Sequence, residues 1–213
     1  MRKLLLLIGW LGVCVPVANS APIYLSDYLG VPSGEVAFSS NSPYMTVLEP
    51  NGHGFGADRP GNYSSTLIEF VNSGVSLKGI GMHPNQAGTT RIEFDLNQIR
   101  LDSGPSFDTF HALVGIDATA APNSLPPGGV VFEVFLDGAL SAAETILEPE
   151  QVPVAIALSL TGVQTLGLQT SRTGLWHRNH GVWADASLIP EPTTALLLGL
   201  GLAGLSMRQR STV

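Results

Sequence analysis

The sequence predicts an all-β protein, an antiparallel β-sandwich of jelly-roll type, and three observations carry that prediction. Short stretches of strict apolar/polar alternation recur through the middle of the chain, as half-buried strands require. Tight-turn residues separate them. Between residues 22 and 189 no sustained helical period bounded by caps is present, apart from a turn expected near Leu140 to Ile146. Eight or nine strands at this spacing fit a two-sheet sandwich.

Taken in order, Leu67-Ile68-Glu69-Phe70-Val71 and Val75-Ser76-Leu77 flank Asn72-Ser73-Gly74 and read as a hairpin. Arg91-Ile92-Glu93-Phe94-Asp95-Leu96 puts its apolar residues on one side and its charges on the other. Phe110 to Asp117 and Val154-Ala155-Ile156-Ala157-Leu158 alternate likewise. In Val130-Val131-Phe132-Glu133-Val134-Phe135-Leu136 the core set is Val130, Phe132, Val134 and Leu136, and Asp137-Gly138 supplies the next hairpin turn.

The two ends differ from this body. Arg2 and Lys3 precede an apolar run from Leu4 to Val17 and then small residues to Ala21, the order of a secretory signal helix over residues 1–20 with cleavage expected between Ser20 and Ala21. That cut removes Cys14, the single cysteine, so the mature domain has no disulfide framework. At the other end, Pro190-Glu191-Pro192 leads into a Leu/Gly-rich run and then Arg208-Gln209-Arg210. As a helix, the hydrophobic segment from Thr193 to Met207 would rise roughly 22 Å, against a bilayer core of about 30 Å, so it makes a marginal permanent anchor. The arginines behind it place the body on the far side of the inner membrane.

Residues 21–192 carry all 17 acidic side chains of the protein but only Arg59, Lys78, Arg91, Arg100, Arg172 and Arg178 among the basic ones. Such an acid excess opposes a phosphate backbone, so nucleic acid is not an expected partner. The length between the two end segments suits one domain with a real core.

Two resemblances add to this reading. The tail, with Pro190-Glu191-Pro192, Leu196-Leu197-Leu198-Gly199-Leu200-Gly201-Leu202 and the closing arginines in order, resembles the PEP-CTERM sorting domain of Gram-negative bacteria. This implies an exosortase-type processing enzyme as partner and transient contact with the inner membrane over residues 190–213. The body, residues 21–189, resembles the NPCBM family, a carbohydrate-binding-module-like domain with a galactose-binding-like jelly roll. The likeness rests on Lys78-Gly79-Ile80-Gly81-Met82-His83, Ala112-Leu113-Val114-Gly115-Ile116-Asp117, the block from Gly129 to Gly138, and His180-Gly181-Val182-Trp183-Ala184-Asp185-Ala186. His53 stands where the family usually has Trp, and Asn179 and Val182 stand where Asp is common.

The candidate carbohydrate-binding residues are His53, His83, Trp176, His180, Trp183 and Asp185. His83 reads equally as a hydrogen-bonded structural histidine or as a ligand contact. Trp183, within an alternating strand, is open to both a core role and a stacking role, whereas Trp176, in a Gly-containing loop, is the better exposed platform. His177-x-x-His180 lacks further ligands at metal spacing and reads as a solvated loop. Loop acids such as Asp27, Asp58, Asp117 and Asp185, with backbone carbonyls, are the groups through which a structural calcium ion would be held, Asp117 and Asp185 foremost, although no calcium-loop motif is present.

No nucleophile elbow, zinc-protease helix or phosphate loop occurs, and Glu133 with Asp185 is only a formal glycosidase pair. The expected function is therefore non-catalytic binding of polysaccharide by an exported protein of the cell envelope or extracellular matrix. A structural matrix protein with a degenerate sugar site is the rival, and a glycoside hydrolase is the weakest reading.

Overall fold

The computed structural model describes residues 21–29, 42–50, 53–55, 68–71, 74–76, 78–84, 88–104, 106–118, 129–146, 151–174 and 180–190, all within the unit Ala21–Glu191. The signal segment and the hydrophobic tail helix expected after Pro190 lie outside them. No described helix is long and apolar enough to cross a membrane.

In chain order the strands are β1 (Ile23–Tyr24), β2 (Met45–Pro50), β3 (His53–Phe55), β4 (Ile68–Phe70), β5 (Gly74–Ser76), β6 (Gly79–His83) and β7 (Thr89–Asp95). Helix α1 (Leu96–Ser103) follows, then β8 (Phe107–Ile116), β9 (Val130–Leu136), β10 (Ala139–Ile146), β11 (Val154–Ser159), β12 (Thr165–Arg172) and β13 (Gly181–Pro190). They form one sheet in the order β11-β8-β13-β6-β3, with β1 added against β13, and a second sheet in the order β10-β9-β12-β7-β2. We call these sheet A and sheet B. The hairpin β4–β5 stands apart as a two-stranded piece. All of these pairings are antiparallel.

The alternation in the sequence becomes the core between the sheets. Sheet A contributes Ile80, Met82, Phe110, Val114, Ile116, Trp183 and Leu188, and sheet B contributes Ile92, Phe94, Val130, Phe132, Val134, Leu166 and Leu168, all buried in one cluster. Leu136, expected to complete the β9 set, is half-buried and packs on the same cluster. Asp137 and Gly138 both adopt positive φ, at 49° and 81°, as a two-residue turn of the I′ type demands, and Leu136 pairs directly with Ala139.

Two local expectations are overturned. The segment Leu140 to Ile146, expected to form a helical turn, is strand β10, because the Asp137-Gly138 turn folds it back in register on β9. Helix α1 was not expected at all. Asp95 ends β7 and caps the helix, its Oδ1 accepting from the backbone N–H groups of Asn97 and Gln98 at 2.9 and 3.0 Å. Gly104 closes it at φ 77°.

Candidate functional site

Strand register decides which of the sequence candidates meet. His53 pairs directly with His83 across β3 and β6. Gly181 pairs with Met82 on one side and Ile116 on the other. One step further along, His180 comes level with His83 and Asp117, and the Asp117 N–H donates to the His180 carbonyl at 2.9 Å. Asp117, His180, His83 and His53 therefore form one row across four neighbouring strands at the end of sheet A. Directly opposed residues of antiparallel strands share a face. Trp183 and Met82 face sheet B, so Asp117 and His180, one step out of phase with Ile116 and Gly181, fall on the outer side of sheet A.

The next rows of that face contain little bulk. Gly115, Val182 and Gly81 follow the histidine row, and Leu113, Ala184 and Gly79 come after them. Phe70 of the hairpin β4–β5 fills the space, burying Val182 and Ala184 in a cluster separate from the main core, with Leu113 packed against it. A Cβ added to Gly115 would lie 2.5 Å from Phe70 Cε1, so glycine is required there for the hairpin to seat. At the edge of this patch Asp117 is 5% exposed, and it is the only charged residue buried among the described residues.

Other candidates do not join the row. Trp183 is fully buried and meets Phe132 edge-on at 5.3 Å between ring centroids, so of its two readings it takes the core one and offers no face to a ligand. Its indole Nε1 has no hydrogen-bond partner. Asp185 sits in a bulge of β13, at φ 51°, where the register against β8 shifts between Ala184 and Ser187. Its N–H donates to the Lys78 carbonyl at 2.8 Å, at the opposite end of β6 from His83.

That position bears on two sequence readings. Asp117 and Asp185 are separated along β13 by Gly181–Ala184, too far for one calcium ion with ligand distances of about 2.3–2.6 Å. Glu133 belongs to sheet B and Asp185 to sheet A, with Glu133 hydrogen-bonded to Gln169 and Ser171 of its own sheet, so the two do not face each other across a cleft. Among the described residues no group of three potential metal-ligating side chains is assembled. Trp176, His177 and Asn179 lie outside the described residues, as do Glu191 and Pro192. Pro190 is buried as the last residue of β13 and is paired with Phe107.

At the other end of the sandwich lies a cleft of about 370 Å³ lined by Asn97, Arg100, Asp108 and Gln164, among others. Arg100 fixes it as a clasp, donating to the Val163 and Leu160 carbonyls at 2.9 and 3.5 Å and stacking over Phe107 at 4.7 Å. Sequence reasoning missed both this clasp and the Asp117–His180 link, because each depends on partners far apart in the chain.

The architecture is that of an antiparallel jelly roll of the galactose-binding-like kind, with His53, His83, His180 and Asp117 at one level of sheet A and Asp185 at the other end of β6. The chain belongs to the NPCBM/NEW2 domain family, whose model matches residues 67–189, and it carries a PEP-CTERM protein-sorting motif at residues 188–211. Among solved structures it is similar to CBM51 from Clostridium perfringens GH95 in complex with methyl-galactose, at 19% identity and TM-score 0.55, covering 79% of this chain and 99% of that one. It is also similar to CBM51-2 with the INT domains of C. perfringens ZmpB, at 21% identity and TM-score 0.56, covering 79% of this chain and 31% of that one. The tandem CBM51 modules of Sp3GH98 from Streptococcus pneumoniae SP3-BS71 match at 19% identity and TM-score 0.52, over 80% of this chain and 47% of theirs. At these identities the likeness is one of fold. A comparison with curated proteins finds no match.

Proposed function

We propose that the chain is an exported, non-catalytic carbohydrate-binding protein, made with a signal peptide over residues 1–20 and delivered to the cell envelope or exopolysaccharide matrix through the tail at 190–213. Family membership supports the class of ligand, and the sorting motif supports the route. What supports a site at this end of sheet A is the backbone register that sets His53 opposite His83, beside the strand that His180 leads into. Trp176, a few residues before β13 in the sequence, is the stacking residue this reading assigns. Histidine and tryptophan supply the polar edges and flat apolar faces that sugar recognition uses. An exosortase-type enzyme would process the tail, with the inner membrane as a transient partner.

Affinity electrophoresis against galactose-containing and envelope polysaccharides tests this reading. Parent protein should be retarded, and Trp176→Ala should lose retardation with an unchanged melting curve. No retardation of the parent by any polysaccharide, the producing organism's own included, overturns it. That outcome would favour a structural matrix protein with a degenerate sugar site. Specific observations speak for that second reading: His53 replaces the usual Trp, and Val182, where Asp is common, is buried beneath Phe70.

A further inference from the structure

We propose that the sandwich and the enzyme that processes the tail compete for one segment, Leu188–Pro190, so that the sorting motif is recognised only while the last residues of β13 are detached from β1 and β8. The inference rests on the tail's role as a substrate of an exosortase-type enzyme and deepens it, since it names the state of the chain that the enzyme takes.

The domain and the sorting motif share residues. The domain family extends to residue 189 and the motif begins at 188, so no spacer separates the fold from the signal. Pro190, the first residue of Pro190-Glu191-Pro192, is also the last of β13, where it is buried and lies opposite Phe107 at the start of β8. Leu188 is fully buried in the main core and flanked by Phe110 of β8 on one side and Ile23 of β1 on the other. Short linear segments are commonly taken up in extended form, by main-chain pairing along a strand edge. The main chain of Leu188 and Ile189 is already paired within sheet A, so it cannot serve both partners.

The build of this strand end favours opening from the tail side. Proline has no N–H to give to a ladder, and the register against β8 shifts between Ile189 and Pro190. Among the described residues β6 pairs with β13 from Gly181 to Ala184, which leaves the Ser187–Leu188 edge to the short strand β1. Ile23 of β1 is half-buried against the core, and only Ala21 and Pro22 separate it from the expected signal cut. Leu188 is then the anchor that opening must draw out, and Ile23 is what holds it on the free edge. Local openings of this kind cost less than global unfolding, and attack on a transiently opened segment follows its population when opening is fast.

The test uses the exported full chain, folded in mild detergent and mixed with membranes from cells that make an exosortase-type enzyme or lack it, with loss of the tail read by mass. A disulfide between Thr109→Cys and Ile189→Cys, partners across β8 and β13, should slow processing at least about tenfold, and reduction should restore the parent rate. Ile189→Cys alone should be processed like the parent. Ile23→Gly, which loosens β1, should be processed a few-fold faster and show faster hydrogen exchange at Leu188 and Ile189. That variant decides the matter if the disulfide does not form, which a free-thiol assay will show. Equal processing of the oxidised and reduced double variant overturns the proposal, and so does an unchanged rate in an Ile23→Gly protein whose exchange has risen. A parent chain that keeps its tail in living cells making the enzyme overturns instead the reading of the tail as a sorting signal, so the two failures are told apart.

Discussion

The inner and outer faces of sheet A are built on opposite rules. Toward sheet B the sheet presents Ile80, Met82, Val114, Ile116 and Trp183, large apolar side chains that interlock with Phe132, Val134 and Leu168. Toward the outside the same strands present Gly79, Gly81, Gly115, Val182 and Ala184, and among the described residues the Phe70 ring from the hairpin β4–β5 packs into the space they leave. The inner face holds by its own bulk, whereas the outer face holds a visitor by having none. Stability should therefore reside in the first and local change in the second.

The largest effect that would test this division is at Trp183. Truncation to Ala opens a cavity in the centre of the main cluster and should cost roughly 3–5 kcal/mol, enough to unfold a marginal domain. Urea denaturation checks it. A Trp183→Ala protein that melts like the parent would mean that the inner face tolerates a void and that the contrast between the faces is false.

A smaller, local effect is expected at Gly115. The Gly115→Ala methyl would press into the Phe70 ring, an overpacking that costs typically about 1–3 kcal/mol. The hairpin should lift from the sheet while the sandwich stays folded, because among the described residues its strands pair only with each other and the ring is its buried anchor. Hydrogen exchange should show faster exchange confined to β4, β5 and the ends of β8 and β13 beneath them. Global acceleration would show instead that the hairpin is part of the cooperative core.

The same contrast explains what could be read from the sequence. Strands β7, β8, β9 and β11 and the Asp137-Gly138 turn were legible because period-two alternation and a turn with positive φ are written in adjacent residues. Helix α1 was not. It is only eight residues long, and Leu96 continues the parity of Ile92 and Phe94 so well that it read as one more strand position. Strand β10 misled in the other direction, since Leu140, Ala142, Ala143 and Glu144 favour helices and only the hairpin overrides them.

Of the candidate site, the residue types were visible but their meeting was not. His53, His83 and His180 reach one level only through the pairing of β3, β6 and β13, segments distant in the chain, and Asp185 is apart from them because β13 runs past β6 and carries it to the Lys78 end. Trp183 alternates like any core residue. Nothing in its own segment distinguishes burial from display, and the decision comes from Phe132 on the opposite sheet.

The smallest effect concerns Asp137, in the β9–β10 turn of sheet B, and it is read against pH. Its Oδ1 accepts from the backbone N–H groups of Thr165 and Gln164 at 2.8 and 2.9 Å, joining the β9–β10 turn to the start of β12. These bonds hold the carboxyl below its ordinary value of 3.8, those from Thr165 and Gln164 contributing most, with Arg100 adding a favourable charge. Since the folded-state pKa is depressed, the stabilisation is fully present above the unfolded value and disappears as pH falls through the folded one. Asp137→Asn keeps a residue that tolerates positive φ but gives up the charged acceptor. Its melting temperature should therefore lie slightly below the parent's from neutral pH down to about pH 5, and the gap should close below about pH 4 as the parent's own carboxyl takes up a proton. A gap of constant size at every pH would assign the loss to turn geometry and not to the charged acceptor. A gap that widened toward low pH would contradict the depressed pKa itself.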